Sequence, residues 1–232
     1  MGTATLNIPM PREQLERIVR QAVRERFAER LLAGEMQLSA AYASNLVVNI
    51  SARHMHMARQ DLEKLFGPGA ELTVYRWLYQ PGEFAAEQQV TVIGPRRRMI
   101  ENVRILGPLR EHTQLEISAT DAVALGVDAP VRPSGTIEGT PGCLVLGPKG
   151  SLEMTKGVIR AERHVHMSPA DAEACGFADR RYVRLRVDSD CATTFERVLC
   201  RVDPRFLLEV HLDTDEGNAC NLVNATGVEL LA

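Results

Sequence analysis

Two copies of a four-residue phrase, Arg-His-x-His, hold most of the histidines in this chain. The phrase occupies residues 53–56 as Arg-His-Met-His and residues 163–166 as Arg-His-Val-His, so four of the six histidines lie in it. Side chains of an extended strand alternate between its two faces, so both histidines of one phrase project to the same side. Two imidazole nitrogens placed in this way can bind one metal ion. The alternative is that two unrelated surface strands happen to carry histidine.

The two phrases belong to longer matching stretches, which indicates an internal repeat. Residues 51–57 (Ser-Ala-Arg-His-Met-His-Met) align with residues 161–167 (Ala-Glu-Arg-His-Val-His-Met) at a spacing of 110 residues. Further along the chain, at a shorter spacing of 95 residues, Glu116 aligns with His211. The alignment therefore gives each half one more candidate ligand besides its pair of histidines.

Each half of the repeat is predicted to supply three metal ligands. The two sets are His54, His56 and Glu116 in the first half, and His164, His166 and His211 in the second. Three protein ligands with an open fourth position are typical of catalytic zinc, whereas structural zinc sites are usually closed by four. Without the repeat, Glu116 would be interpreted as a solvent-facing strand residue and His211 as a satisfied interior imidazole. The sixth histidine, His112, has no counterpart and is interpreted as an ordinary surface residue.

Length and composition are those of a globular protein rather than a nucleic-acid or membrane protein. The 232 residues suffice for one large domain or two small ones. A net charge of −3 and few aromatic residues disfavour a nucleic-acid partner, and no apolar run reaches the length of a membrane span. The polar N-terminus does not match a secretory signal. The five cysteines are odd in number and lack CxxC spacing, which favours a reducing compartment and thiols that serve in packing.

Residues 11–32 are predicted to form an amphipathic helix with a narrow apolar stripe and an arginine-rich polar face. Pro11 suits the first turn, and Gly34 marks the end and begins a linker of small and polar residues. The helix could pack on its own domain or dock in the groove of a partner protein. A membrane-surface role is disfavoured because acidic residues are interspersed and Trp and Lys anchors are missing.

From residue 45 onward, short apolar runs separated by Gly and Pro predict many short strands and a few short helices. The strands that should position the candidate ligands are at 45–50, 113–118, 157–161 and 206–212, and a short helix follows each phrase, at 58–66 and from Pro169 to Gly176. Residues 132–150 are interpreted as loops and residues 214–220 as a polar segment.

Several phrases carry a resemblance to a known family. They are Ser-Ala-Arg-His-Met-His-Met (51–57), Gln-Pro-Gly-Glu-Phe-Ala-Ala-Glu (80–87), Val-Arg-Ile-Leu-Gly-Pro-Leu-Arg (103–110), Gln-Leu-Glu-Ile-Ser (114–118), Arg-His-Val-His-Met-Ser-Pro (163–169) and His-Leu-Asp-Thr-Asp-Glu-Gly-Asn-Ala (211–219). From about residue 45 to its C-terminus, the chain resembles the PduL-type phosphotransacylases, the phosphate propanoyltransferases of bacterial microcompartments.

The resemblance implies a mainly β fold of two antiparallel β-barrels capped by short helices and preceded by the N-terminal amphipathic helix. Residues 43–52 and 162–231 would form the first barrel, and residues 53–161 the second. Residues 1–34 would be an encapsulation helix and linker that docks on microcompartment shell or core proteins. The expected location is the microcompartment lumen within the cytoplasm, and the expected assembly is a homodimer.

The resemblance also implies roles for individual residues. Two zinc ions per chain would be bound by the two ligand sets, and Arg110 would be the catalytic, phosphate-binding arginine. The residues expected to line the CoA side are Ser51, Arg76, Arg104, Leu106 and Asn218. Where members of the family often carry Lys near the small ribbon, this chain has Tyr75-Arg76-Trp77.

The implied reaction converts an acyl-CoA (propanoyl-CoA or one with a similar short chain) and phosphate into acyl phosphate and CoA. It would take part in 1,2-propanediol degradation. One alternative is a two-metal hydrolase of CoA thioesters or phosphoesters that uses the same six ligands. Another is a non-enzymatic shell or scaffold protein with structural zinc, against which the open ligand position argues.

Overall fold

The structure, a computed structural model, describes residues 46–232. The predicted helix at residues 11–32, and with it the proposed docking segment 1–34, lies outside the described residues. Within residues 46–232, no helix has the length and hydropathy needed to cross a bilayer.

Short strands dominate the described part of the chain. They are β1 (Val47–Ser51), β2 (His54–His56), β3 (Val74–Trp77), β4 (Phe84–Ile93), β5 (Met99–Gly107), β6 (Gln114–Glu116), β7 (Val131–Arg132), β8 (Leu144–Leu146), β9 (Ser151–Glu153), β10 (Val158–Ala161), β11 (His164–Met167), β12 (Tyr182–Asp188), β13 (Thr193–Val202), β14 (Glu209–Asp213) and β15 (Gly227–Leu231). The helices are α1 (Arg59–Phe66), α2 (Ala119–Leu125), α3 (Pro169–Cys175), α4 (Thr214–Ala219) and a 3-10 helix at Leu222–Asn224. The prediction of a mainly β fold with a few short helices is confirmed.

The strands form two curled half-barrel sheets. The six-stranded sheet has the order β1-β14-β11-β13-β12-β15, and the nine-stranded sheet has the order β7-β10-β6-β2-β5-β4-β8-β9, with β3 paired to β4. The two antiparallel β-barrels that were predicted are instead mixed sheets, because β1 is parallel to β14, β11 to β13, β2 to β5, and β10 to both β6 and β7. Strands joined by tight hairpins must be antiparallel, whereas partners reached by a long connection can be parallel.

The two sheets draw on different parts of the sequence. Residues 47–51 and 164–231 supply the strands of the six-stranded sheet, and residues 54–161 supply those of the nine-stranded sheet. Residues 45–232 nevertheless cluster as one compact unit. The division into two barrel domains at 43–52, 53–161 and 162–231 stays a prediction.

The internal repeat is visible in the strand pairing. Strand β2 lies between β5, to which it is parallel, and β6, to which it is antiparallel. Strand β11 lies in the same way between β13 and β14. The register pairs His54 with Glu116 and His164 with His211, which are the partners given by the sequence alignment.

Packing fixes the direction of the histidine side chains. The residue between the two histidines of each phrase, Met55 or Val165, is fully buried. Leu115 and Val210 on the antiparallel partner strands are fully buried as well. Because alternate side chains of a strand project to opposite faces, burial of these residues holds the neighbouring histidines on the other face.

Three local expectations differ from the structure. The segment 132–150, expected to be loops, contains β8, and the polar segment 214–220 contains α4. This six-residue helix is too short to show an apolar stripe, and it is stabilised by a capping box between Asp213 and Glu216. All five cysteines are free, but Cys191 is exposed, so the packing interpretation is wrong for it. It lies in the short turn between β12 and β13.

Candidate metal centre

The first predicted ligand set forms one buried cluster. His54 Nε2 lies 3.2 Å from His56 Nε2, and the two oxygens of Glu116 lie 3.5 Å from His54 Nε2 and 3.4 Å from His56 Nε2. All three side chains are buried. Three donor atoms at such short mutual distances can converge on one cation.

The second predicted set also comes together. The potential ligand atoms of His164, His166 and His211 lie within 4.8 Å of one another. Both ring nitrogens of His166 and the Nε2 of His211 are buried and make no hydrogen bond. Buried polar atoms without a partner are costly and uncommon, and a metal ion would supply the missing partner.

Contacts behind the rings orient them toward the clusters. His54 Nδ1 donates to the carbonyl oxygen of Ala52, and His164 Nδ1 donates to that of Glu162, each at 2.8 Å. The Nδ1 of His211 lies 3.1 Å from Ser51 Oγ. Because a carbonyl oxygen can only accept, Nδ1 of His54 and of His164 carries the proton and the Nε2 lone pair is free for a metal, an arrangement common among metal-binding histidines.

Burial and neighbouring side chains favour the metal-binding protonation states of four ligands, which are His56, Glu116, His164 and His166. Burial lowers the pKa of His56 to about 4 and that of His164 to about 3, and it lowers the pKa of His166 still further. Burial alone would raise the pKa of Glu116, but the adjacent His54 and His56 hold it well below its usual range. Neutral imidazoles and an ionised carboxylate are the ligand forms of these side chains.

The donor chemistry therefore fits two metal ions, one in each half of the repeat. The first cluster offers two imidazoles and a carboxylate, and the second offers three imidazoles. Both are ligand sets of catalytic zinc sites.

Arg110 is connected to the first cluster through Ser134. Arg110 Nη1 donates to Ser134 Oγ at 3.0 Å, and this hydroxyl donates to Glu116 Oε1 at 2.7 Å. Gln114 Nε2 donates to both Glu116 Oε1 and Ser134 Oγ. The backbone N–H of Arg110 donates to the carbonyl oxygen of Met57, just beyond β2, which holds the arginine beside the cluster.

A buried carboxylate accompanies the second cluster as well. Glu209 Oε2 lies 3.3 Å from His211 Nε2, outside hydrogen-bond alignment, and the carboxylate accepts hydrogen bonds from Asn49 and Gln80. Burial would raise the pKa of Glu209, but His211 and the two amides lower it overall. In the repeat, Glu209 occupies the position of Gln114, because the pairs His56–Gln114 and His166–Glu209 are in register.

Both clusters open on one pocket. The residues that line it are Ser51, Glu116, Ile117, Ala161, Glu162, His164, His211, Leu212 and Asp213. Glu116 comes from the first cluster and His164 and His211 from the second, so the pocket borders ligands of both clusters.

The five predicted CoA residues are placed differently. Ser51 lines the pocket. Arg104 is in register with His54 on β5, and its guanidinium lies 4.3 Å from the centre of the Tyr75 ring. Leu106 is half-buried on β5, whereas Arg76 on β3 and Asn218 on α4 are exposed. Their contacts with CoA stay a prediction.

The arginine of each phrase has a structural explanation. Arg53 Nε lies 3.0 Å from Asp121, and Arg163 Nε lies 2.6 Å from Glu216. Asp121 and Glu216 are the capping-box acids of α2 and α4. Each arginine therefore links a histidine strand to the helix that follows the third ligand.

Comparison with known proteins identifies the family. The sequence model of the phosphate propanoyltransferase family matches residues 47–223. The chain belongs to this family. A phosphate propanoyltransferase of Planctopirus limnophila is 49% identical over 222 residues, which cover 95% of this chain and 91% of the relative. One from Thermotoga maritima is 53% identical over 178 residues, which cover 76% and 84%.

The chain is therefore an acyltransferase enzyme of the phosphate propanoyltransferase family. The predictions of this family and of an enzyme are confirmed. A purely structural shell or scaffold protein, the non-enzymatic alternative, is set aside.

Proposed function

We propose that this enzyme transfers a propanoyl or similar short acyl group between CoA and phosphate at a two-zinc site. The observation that carries the proposal is the connection of Arg110 through Ser134 to Glu116, because it places a phosphate-binding type of side chain beside a candidate metal ligand. The printed name of the relatives supports propanoyl transfer to phosphate.

Each half of the repeat would hold one metal ion. His54, His56 and Glu116 would hold one zinc ion, and His164, His166 and His211 the other. When bound, zinc supplies Lewis-acid chemistry that can polarise a thioester carbonyl or stabilise a leaving thiolate.

Arg110 would bind and orient phosphate. Its planar guanidinium can pair with two phosphate oxygens at once, and Ser134 fixes its direction. Phosphate is a weak, well-solvated nucleophile, so holding it against the thioester supplies much of the rate enhancement. A phosphate oxygen forms a bond to the carbonyl carbon, the carbon–sulfur bond breaks, and CoA leaves as its thiolate.

The shared pocket would receive the reacting end of the acyl-CoA. Its apolar lining comes from Ile117, Ala161 and Leu212, beside the metal ligands. CoA itself would extend along the predicted residues Ser51, Arg76, Arg104, Leu106 and Asn218.

The N-terminal segment would direct the enzyme to a bacterial microcompartment that serves 1,2-propanediol degradation. Support for this comes from the amphipathic pattern of residues 11–32 and from the family resemblance. Deleting residues 1–34 should leave turnover intact and abolish co-purification with shell proteins. A homodimer is the proposed assembly, which sedimentation can test.

Steady-state kinetics with varied phosphate test the proposed reaction. CoA release from propanoyl-CoA should require phosphate and saturate with it, and acetyl- and butanoyl-CoA should define the preferred chain length. Release of CoA at an equal rate without phosphate would instead show the alternative, a two-metal thioester hydrolase on the same ligands.

A further inference from the structure

We infer that Arg201 is a second binding group for the phosphate, acting together with Arg110. The inference rests on the proposed function and adds a residue to it. Arg201 lies in the six-stranded sheet and Arg110 in a loop of the nine-stranded half, so each half of the repeat would contribute one guanidinium to the anion.

The strand register directs Arg201 toward the second cluster. Arg201 on β13 is paired with His166 on the parallel strand β11. Residues paired across neighbouring strands project from the same face of a sheet, so the two side chains share a face. Phe206 contacts both of them: its ring stacks on the His166 imidazole with centroids 4.1 Å apart, and its centroid lies 5.8 Å from the Arg201 guanidinium carbon.

Arg201 has no anionic partner among residues 46–232. The half-buried Arg163 is paired with Glu216, but no described carboxylate comes within ion-pair distance of Arg201. Arg110 is exposed, and its side-chain hydrogen bond goes to the neutral hydroxyl of Ser134. Partly desolvating the half-buried Arg201 without a counter-ion is costly, so its position beside the second cluster indicates an anionic ligand, for which Arg110 offers a second guanidinium.

The geometry places the two arginines beside ligands of the two clusters. Arg201 shares a face with His166 of the second cluster, and Arg110 is connected through Ser134 to Glu116 of the first. Glu116 lines one pocket together with His164 and His211, so the two clusters meet there.

A pair of guanidinium groups binds a dianion better than it binds a monoanion. Their mutual repulsion is relieved by an anion that pairs with both, and a phosphate or acyl phosphate dianion carries enough charge and enough oxygens to do so. A monoanion would leave one cation uncompensated. Arg201 should therefore strengthen binding of phosphate and of the acyl phosphate product, with little effect on binding of acyl-CoA.

The test compares Arg201→Gln with the wild-type enzyme, both metal-loaded, with propanoyl-CoA and phosphate varied separately. Loss of a charged hydrogen-bonding group should raise the KM for phosphate about 10- to 100-fold and leave the KM for propanoyl-CoA within about 3-fold. Stabilisation of the enzyme by added phosphate, measured as a shift in melting temperature, should shrink in the variant. Metal content should be unchanged. The control is Arg205→Gln, since Arg205 is an exposed arginine of the same segment that is already paired with Asp203.

Several results would overturn the inference. An unchanged KM for phosphate, an equal rise in both KM values, or loss of metal from the variant would each assign Arg201 a different role. If Arg201→Gln does not fold, Arg201→Lys carries the same test, because it keeps the charge and loses the planar fork; an unchanged KM for phosphate there would contradict the inference. A wild-type enzyme that releases CoA without phosphate would refute the proposed function itself, which is a distinguishable outcome.

Discussion

Glu116 lies directly opposite His54 on the neighbouring antiparallel strand, with its Oε2 3.5 Å from His54 Nε2. The same register in the second half places His211 opposite His164. The two clusters are therefore one arrangement in which a single ligand differs, carboxylate in one and imidazole in the other. A metal in the first cluster has one negative ligand more than a metal in the second.

Replacing one ligand should remove one metal. Glu116→Gln keeps the shape of the side chain but loses its charge, so the enzyme should retain about half of its zinc, held by the second cluster. His166→Asn should have the converse effect. Elemental analysis after gel filtration measures the stoichiometry, with the exposed Glu111→Gln as control. Full zinc content in both ligand variants would contradict the assignment.

Removing the Ser134 hydroxyl should impair catalysis more than folding. Ser134→Ala breaks the connection between Arg110 and Glu116, and loss of such a supporting hydrogen bond typically costs about 10- to 100-fold in activity or metal affinity. Initial rates at varied phosphate, together with metal content, give the effect. The neighbouring exposed Thr136→Ala should behave like the wild type, and equal losses in both variants would argue against a specific role for Ser134.

The stability of the metal-free protein should depend on pH. Burial lowers the pKa of His56 from 6.5 to about 4 and that of His164 to about 3, so between these values and 6.5 the unfolded chain binds more protons than the folded one. The free energy of unfolding should therefore fall as pH decreases through this window, by on the order of 3 kcal/mol for His56 alone.

Urea denaturation of chelator-treated protein at pH 7.5 and pH 5 measures this difference. His56→Gln should show a smaller dependence, and His112→Gln, which changes an exposed histidine, should show the dependence of the wild type. Equal free energies of unfolding of the wild type at the two pH values would show that the cluster histidines are not held neutral by burial.

The link between Arg53 and Asp121 should matter for stability rather than for turnover. The Asp121 carboxylate accepts from Arg53 and from the backbone N–H of Ser118 at the start of α2. Asp121→Ala should lower the free energy of unfolding by about 1–3 kcal/mol. Arg53→Gln should cost less, because Arg53 is partly exposed. Denaturation midpoints measure both effects; loss of zinc from a folded Asp121→Ala would assign it a role in the site.

The candidate ligands were predictable because their pattern is local and duplicated. A spacing of two residues places both histidines of a phrase on one face, and the repeat identified Glu116 and His211 as counterparts. The same spacing could have indicated Gln114 and Glu209, each two residues before the third ligand on the same strand. Parallel and antiparallel pairing leave the same alternation in the sequence, so the mixed sheets were not predictable.

No local sequence pattern marks Ser134 or Arg201 as part of the site. Ser134 lies in a loop between Pro133 and Gly135, and its position beside Glu116 depends on how this loop returns to β6. Arg201 is one of many arginines in the sequence, and only the pairing of β13 with β11 relates it to His166. Such contacts depend on long-range topology, which the residue pattern does not encode at short range.

The most direct test of the central claim is to follow the reaction by ³¹P NMR after propanoyl-CoA is added to the zinc-loaded enzyme in phosphate buffer. We expect an acyl phosphate signal to grow in step with free CoA. Formation of acyl phosphate should stop when zinc is stripped and resume when zinc is restored. Release of CoA with no acyl phosphate signal, or formation of acyl phosphate at the same rate by the stripped enzyme, would contradict the proposed function.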